Sequence, residues 1–182
     1  MIQGGAGTST NMNANEVIAN RAIQILGYEK GNYKIVHPNN HVNLSQSTND
    51  AYPTAVKIAL LRSNEVFLDV LRALITSVRN KAEEFHGVIK MGRTQLQDAV
   101  PTTLGQTFEA WAVTLEEEVE RLEENARLFL EINMGATAIG TGLNAPEGYE
   151  EKVVAHLRDT SGLNLRTAKN LVEATQDTGA FI

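Results

Sequence analysis

Apolar side chains recur at helical spacing along two long stretches of the chain. The first is an amphipathic series from Val56 to Phe85, and it follows Pro53, a residue suited to the first turn of a helix. The second continues in steps of three and four from Phe108 to Ile132. Each stretch predicts one long helix, and about 30 residues at 1.5 Å per residue make the first roughly 45 Å long.

Shorter helices are predicted on either side of this pair. They cover residues 11–26, a stretch from about 147 to 158, and a stretch that begins at Leu171. The intervening segments, residues 28–52 and 88–103, are rich in polar and turn-forming residues and are predicted to be irregular. Long helices without a predicted strand are typical of a helix bundle, so the predicted fold class is all-α.

The apolar stripes of the two long helices are too wide to bury each other within a chain of 182 residues. Part of each stripe is therefore expected to face another subunit or further sequence. In the second helix the stripe includes Phe108, Leu115, Leu122 and Phe129. The predicted state is an oligomer. Trp111 lies on the same stripe as Phe108, and both are predicted to be core residues.

The composition narrows the classes of partner. The formal net charge is −6, and acidic and basic residues are interspersed without a basic block. This pattern argues against nucleic acid and against a membrane surface as partners. There is no cysteine, which excludes disulfides and thiolate metal sites. No apolar run of membrane length and no signal-peptide pattern is evident, so a cytoplasmic location is expected.

Three polar segments interrupt the helical pattern, and all are rich in hydroxyls, amides and glycines. They cover residues 4–13, 45–50 and 92–101, and the first two lead into predicted helices. Free backbone N–H groups and the helix dipole favour an anion at such a place. The alternative is structural, because Ser, Thr, Asn and Asp commonly cap helices, and Asp50 is a predicted N-cap of the first long helix. Spacing alone therefore predicts a carboxylate or phosphate site at most.

Four strings of sequence carry more information than their composition. In chain order they read GGAGTSTNMNANEVIANRA, HPNNHVNLSQSTNDAYPT, KMGRTQLQDAVPTTLGQTFEAW and GATAIGTGLNAP. Together they resemble the aspartases of the aspartase/fumarase superfamily in sequence, order and spacing. The resemblance covers essentially the whole chain but corresponds to a middle stretch of a longer subunit, so an internal fragment, cut at both ends, is expected.

The resemblance implies a truncated long-helix bundle of the aspartase/fumarase type. In that family the subunit is all-α, the enzyme is a homotetramer, and three subunits build each active site. Residues 1–48 would end the N-terminal domain with a short helix and substrate-binding loops, and residues 49–182 would begin the central helical bundle. The implied activity is that of a carbon–nitrogen lyase, the reversible elimination of ammonia from L-aspartate to give fumarate. The implied partners are L-aspartate, fumarate, ammonium and further copies of the chain, with no cofactor and no metal.

The resemblance also assigns substrate-binding roles. Thr8, Ser47 and Thr48 would hold the carboxylate next to the carbon that loses its proton, and Asn49 would lie near the amino group. Removing that proton builds a second negative charge onto the carboxylate, and fixed hydroxyl donors stabilise such a charge where it develops. These residue types therefore suit the implied reaction.

Two further binding residues, Thr94 and Gln95, would reach the same pocket from a neighbouring subunit. Many members of the superfamily, fumarases especially, carry His at the position of Gln95, whereas Gln is familiar among aspartases. Gln95 therefore favours an amine over a hydroxyl leaving group. The alternatives are a fumarate hydratase and a helical assembly unit without catalytic activity.

The superfamily's flexible serine loop carries the catalytic base, a lysine and an asparagine, and it reads like G-S-S-x-M-P-x-K-x-N. No two serines are adjacent anywhere in this chain. No catalytic residue is therefore assigned here, and the chain alone is expected to be inactive.

Three other polar residues have open interpretations. His37 and His41 bracket Pro38-Asn39-Asn40 and suggest either a metal or proton-shuttle site or, without acidic ligands at matching spacing, a structural role. Arg93 either grips a carboxylate or braces its loop through Asp98 or another neighbour.

Overall fold

A computed structural model describes residues 5–181. From the N-terminus the elements are α1 (Thr8–Ile25), a π-helical turn (Pro38–Val42), α2 (Thr48–Glu84), β1 (Ile89–Thr94), β2 (Gln97–Thr103) and α3 (Leu104–Ala126). They continue with a 3₁₀ turn (Arg127–Leu130), β3 (Glu131–Ile132), α4 (Tyr149–Ser161), β4 (Arg166–Thr167), α5 (Leu171–Gln176) and a 3₁₀ turn (Gly179–Phe181). The predominance of helix confirms the all-α prediction, and the strands are short.

The chain forms two compact units. The first comprises Met1–Ala59 and Leu128–Ile182, and the second comprises Leu60–Arg127. The helix α2 begins in the first unit and continues into the second.

The core of the first unit contains a buried stretch that was not predicted from hydrophobic periodicity. Residues 132–137 are all buried, although they include a glycine, an asparagine and a threonine. At the start of this stretch, β3 pairs with β4 in parallel, and the N–H of Ala168 donates to the carbonyl oxygen of Ile132 at 2.9 Å. Ile132 of β3 and Leu165, which immediately precedes β4, are fully buried.

The core of the second unit lies between α2 and α3. Leu71 and Ile75 of α2 and Ala112 of α3 are buried there, and half-buried side chains such as Leu115 and Leu122 pack around them. This packing confirms that the two long amphipathic patterns have facing apolar stripes. Trp111 is different, because 52% of its surface is exposed, so its prediction as a core residue is wrong for the described chain.

The second predicted helix ends earlier than its apolar pattern. It begins behind Thr103, which forms a capping box with Gln106, and it stops at Ala126. Phe129 and Ile132 continue the apolar spacing, but they lie in the 3₁₀ turn and in β3. Their burial in the core of the first unit explains the pattern, because a short buried apolar run cannot be assigned to helix or strand by periodicity.

A β-hairpin occupies the segment that the sequence predicted to be irregular. The strands β1 and β2 pair antiparallel, with Thr94 opposite Gln97 at the turn end. Gln95 and Leu96 form the two-residue turn, with φ angles of 49° and 62°. Both angles are those of a type I′ turn, which normally selects Asn-Gly or Asp-Gly, so the usual sequence signal of a hairpin is missing.

Within residues 5–181, no helix is long and apolar enough to cross a membrane.

Candidate functional site

The turn that leads into α2 carries three of the predicted binding residues, Ser47, Thr48 and Asn49. The hydroxyl oxygen of Ser47 accepts the N–H of Asn49 at 3.2 Å, and the Ser47 carbonyl accepts the N–H of Ala51 at 3.0 Å. Ser47 therefore caps α2, and Asp50, the predicted N-cap, instead lies inside the first turn of the helix. Because the Ser47 hydroxyl oxygen acts as an acceptor in the cap, its own proton remains available to an incoming anion.

Thr48 is held by the amide side chain of Asn11, which lies on α1. Its hydroxyl oxygen accepts a hydrogen bond from Nδ2 of Asn11 at 3.1 Å. Asn11 also donates to Oδ1 of Asn43 at 3.1 Å, and Nδ2 of Asn15 donates to the same oxygen at 2.8 Å. The bond from Asn11 makes the Thr48 oxygen an acceptor, so the Thr48 hydroxyl, like that of Ser47, can still donate.

The amide of Asn49 has a fixed orientation. Its Nδ2 donates to the carbonyl oxygen of Ala138 at 2.6 Å, and Nδ2 of Asn133 donates to the Asn49 carbonyl at 3.0 Å. Since a carbonyl oxygen only accepts, the nitrogen of the Asn49 amide must face Ala138. The Oδ1 atom of this exposed side chain is then left as an acceptor for a donor such as an ammonium group.

Asp50 is fully buried behind this turn. One carboxylate oxygen accepts the N–H of Ser47 at 3.0 Å, and the other accepts the N–H of Thr137 at 2.8 Å. Burial raises the pKa of Asp50 above its usual range, while its backbone hydrogen bonds oppose that shift. Tyr149 lies in the same environment, where burial and the nearby Asp50 charge both raise the pKa of its phenol.

Thr8 is the first residue of α1 and is exposed. Gly7, just before it, has a φ of +92°, and a Cβ atom at this position would lie 2.3 Å from the ring of Tyr52. This contact places the beginning of α1 against the first turns of α2. Thr8 is three residues before Asn11, a spacing that puts both on one face of the helix, and Asn11 contacts Thr48.

The predicted residues Thr94 and Gln95 lie in the second unit, at the turn of the hairpin, where both are exposed. Arg93 donates through Nε to Oδ1 of Asp98 at 3.2 Å across the two strands. This ion pair confirms the interpretation of Arg93 as a brace for its own loop. The roles of Thr94 and Gln95 in a substrate pocket stay predictions.

The histidines near Pro38 have structural partners. Nδ1 of His37 accepts the N–H groups of Asn39 and Asn40 at 3.1 and 3.3 Å, and Nδ1 of His41 accepts the N–H of His37 at 2.9 Å. Both side chains therefore stabilise the π-helical turn, as the structural alternative proposed. Across residues 5–181, no group of three or more His, Cys, Asp and Glu side chains is arranged to hold a metal ion.

Sequence reasoning missed the residues that support the turn from behind. Asn11 and Asn15 had a detectable signal in the sequence, because two amides four residues apart share one helix face. Asn133 and Thr137 had none, because their contacts with the turn join positions more than eighty residues apart in the sequence.

Comparisons with known proteins bear on the whole chain. The model of the lyase family matches residues 1–182. Aspartate ammonia-lyases are similar to this chain, with 58% identity over 183 residues for the Pseudomonas aeruginosa protein and 51% over 182 residues for that of Escherichia coli. Each alignment covers 100% of this chain, but only 39% and 38% of those two relatives, so the chain spans less than half of their length.

Solved structures are also similar to nearly the whole of this chain, and this chain again covers less than half of each of them. The cobalt-bound fumarate lyase:delta crystallin of Brucella melitensis aligns with a TM-score of 0.91 and 59% identity, over 98% of this chain and 39% of that one. A class II fumarase from Schistosoma mansoni aligns with a TM-score of 0.81 and 34% identity, over 92% of this chain and 38% of that one.

Proposed function

We propose that this chain, which belongs to the lyase family, is part of an aspartate ammonia-lyase that eliminates ammonia from L-aspartate to give fumarate, and that catalyses the reverse addition. The observation that carries the proposal is the 58% identity, across the whole chain, to an aspartate ammonia-lyase. The hydrogen-bond directions at the start of α2 support it independently, because they match the charges that this reaction develops.

The carboxylate end of the substrate is assigned to Thr8, Ser47 and Thr48. Proton removal from the adjacent carbon converts the carboxylate into an enediolate-like dianion, which needs donors fixed before the reaction begins. The Ser47 and Thr48 oxygens already accept hydrogen bonds within the protein, so their hydroxyl protons are left for the substrate. The contacts of Ser47 and Thr48 within the protein are therefore compatible with substrate binding. They also leave both hydroxyls to act as donors towards the substrate.

The amine end of the substrate is assigned to Asn49, and a neighbouring subunit supplies Thr94 and Gln95 to the same pocket. An ammonium group only donates hydrogen bonds, so it requires acceptors. The bond from Asn49 to Ala138 leaves the amide oxygen of Asn49 for this purpose. Gln95 would add a second carbonyl acceptor, and its neutral side chain offers no acidic proton to a departing hydroxide.

The remaining parts of the proposal concern assembly and the missing base. We assign the catalytic base to no residue of this chain, because the serine-loop pattern is absent from its sequence. The proposal includes a homotetramer in the cytoplasm, with a domain boundary between residues 48 and 49, within the first turn of α2. The 182-residue chain on its own should therefore convert no aspartate.

The test compares leaving groups in the full-length protein that carries this sequence. Fumarate is followed by its ultraviolet absorbance with L-aspartate and with malate as separate substrates, after expression in a host that lacks its own aspartase. We expect fumarate from L-aspartate and negligible turnover of malate. Faster dehydration of malate would mean that the fumarate hydratase alternative is correct and that Gln95 was misinterpreted. Turnover of neither substrate would favour a non-catalytic assembly unit.

A further inference from the structure

A buried polar cluster connects the turn at residues 47–50 to the distant segment 133–138. Three hydrogen bonds make the connection: one to the Asp50 carboxylate, one from the Asn49 side chain and one to the Asn49 carbonyl. Asp50 accepts from Ser47 and from Thr137, and Ala138 accepts from the Asn49 amide. Asn133 adds its bond to the Asn49 carbonyl. The turn is therefore tied to this segment at Asn49 and at Asp50.

We propose that Asp50 is a positioning residue, whose buried carboxylate joins the substrate-binding turn to segment 133–138 and so fixes the orientation of the Asn49 amide. This inference rests on the proposed function. It goes beyond it, because Asp50 was assigned no part in substrate binding and its side chain does not reach the surface.

The geometry explains how a side chain that cannot touch substrate would control one that does. The two oxygens of Asp50 hold two backbone N–H groups, one on each side of the connection, at 3.0 and 2.8 Å. Thr137 has a φ of +57°, a left-handed conformation that a threonine adopts only when its surroundings enforce it. The next residue, Ala138, presents the carbonyl that orients Asn49. Movement of Thr137 would therefore move the partner of the Asn49 amide.

Burial makes this connection sensitive to chemical change. A carboxylate removed from water is stable only when its oxygens are hydrogen-bonded, and here backbone groups provide the bonds. An asparagine at position 50 has the same shape but only one acceptor oxygen. Its amide nitrogen would face either the N–H of Ser47 or that of Thr137, donor against donor. One of the two ties would be lost without creating a cavity.

The experiment is a double-mutant cycle in the full-length protein, with Asp50→Asn and Asn49→Ala measured singly and together on L-aspartate. A displacement of this kind reduces turnover by about 10²-fold, so Asp50→Asn should lower kcat by that order and change KM less. If Asp50 acts through the Asn49 amide, the same substitution should lower kcat much less once the amide is absent. Additive losses would overturn the proposal, because independent sites add.

A matched control and a second variant keep the result interpretable. Thr54 is also buried near the start of α2, and its hydroxyl has no hydrogen-bond partner among the described residues, so Thr54→Val should leave kcat unchanged in both backgrounds. If Asp50→Asn does not fold, Asn133→Ala replaces it in the cycle, because it removes another tie to Asn49. Additive losses for Asn133→Ala and Asn49→Ala would show that losing a tie between the turn and segment 133–138 does not act through the Asn49 amide. That result would overturn the proposal.

The outcomes separate the two proposals. If the unaltered protein releases no fumarate from L-aspartate, the proposed function and the positioning role both fail. If the unaltered protein is active and the cycle is additive, the function is retained and the positioning role alone is rejected.

Discussion

The two units of the chain differ in where they place their polar groups. In residues 5–181, the buried polar and charged side chains all belong to the first unit, namely Asn15, Asp50, Thr54, Lys57, Asn133 and Thr137. In the second unit, the charged pairs, such as Arg79 with Glu116 at 2.7 Å, lie at the surface, and large apolar side chains such as Phe67 are exposed.

This difference bears on how each unit would hold a substrate-binding residue. The turn at Ser47 and Asn49 is oriented by hydrogen bonds within its own unit, in surroundings where such bonds are strong. The turn at Gln95 has no comparable support, because it is an exposed hairpin end beside Leu96, of which 95% is exposed. The first unit is thus preorganised by itself, whereas we expect the position of Gln95 to depend on what contacts the hairpin in the assembled protein.

The first test asks whether a buried side chain of the first unit contributes more to the free energy of unfolding than an exposed side chain of the second unit. Ile132 is fully buried in the first unit, so Ile132→Ala should lower the free energy of unfolding by about 2–5 kcal/mol. Phe67 in the second unit is 53% exposed, and Phe67→Ala should lower it far less. Both are measured by denaturant unfolding of the 182-residue chain at low concentration. Equal losses would show that Ile132 and Phe67 contribute equally to stability despite their different burial.

Activity provides the second test, in the full-length protein. Thr48→Val removes a hydroxyl that we assign to the developing negative charge, and loss of one such donor lowers kcat by about 10²- to 10³-fold. The control is Thr76→Val on the same helix, since the Thr76 hydroxyl is exposed and donates only to the carbonyl of Arg72 at 3.0 Å. It should leave kcat unchanged. Full activity of Thr48→Val would reduce Thr48 to a structural contact of Asn11.

The third test uses the buried carboxylate of the first unit. Burial raises the pKa of Asp50 in the folded protein above the usual value of 3.8, at which it ionises when unfolded. Between these two values the folded protein binds more protons, so this group's contribution to stability is lost as the pH rises through the folded pKa. Unfolding free energies of the unaltered chain and of Asp50→Asn, measured at several pH values above 4, should therefore diverge. The unaltered chain should lose stability relative to the variant as the pH rises, and a constant difference would contradict the raised pKa.

The smallest effect belongs to the surface of the second unit. The ion pair of Arg93 and Asp98 is exposed on both sides, with 69% and 68% of the side chains accessible. A cycle of Arg93→Ala and Asp98→Ala should give a coupling below about 1 kcal/mol, and salt should weaken it further. A larger coupling that persists in salt would show that the two side chains are less exposed in solution than their accessible fractions indicate.

The sequence predicted the helices well where an apolar stripe was long, and less well where other forces decided the structure. The facing stripes of α2 and α3 were evident from periodicity. The binding roles of the Ser47 turn came from the resemblance and stay predictions. The hairpin was missed because its turn, Gln95-Leu96, uses left-handed residues that are neither glycine nor asparagine. Such a conformation is imposed by the pairing of the two strands, with Thr94 opposite Gln97, rather than by the preference of the turn residues.

The support behind the site could not be predicted for a different reason. The pairing of Asp50 with Thr137 is a tertiary contact across 87 residues, and no local pattern encodes it. Asp50 before Pro53 had a local explanation as a helix cap, and this explanation concealed the long-range role. Asp50 was assigned to a helix cap from its local sequence, whereas its burial goes with a partner that is distant in the sequence, the N–H of Thr137.

The contact of Gly7 with Tyr52 has a consequence for how this sequence can vary. Any side chain at position 7 would meet the aromatic ring, and the backbone φ of +92° is unfavourable for every other residue type. Position 7 should therefore accept no replacement while Tyr52 remains. In a saturation library selected for activity, we expect Gly7 to be as intolerant as a substrate-binding residue, although it has no side chain to offer a substrate. The intolerance of position 7 would then reflect its packing against Tyr52. A ranking of positions by intolerance alone would wrongly identify Gly7 as a substrate-binding or catalytic residue.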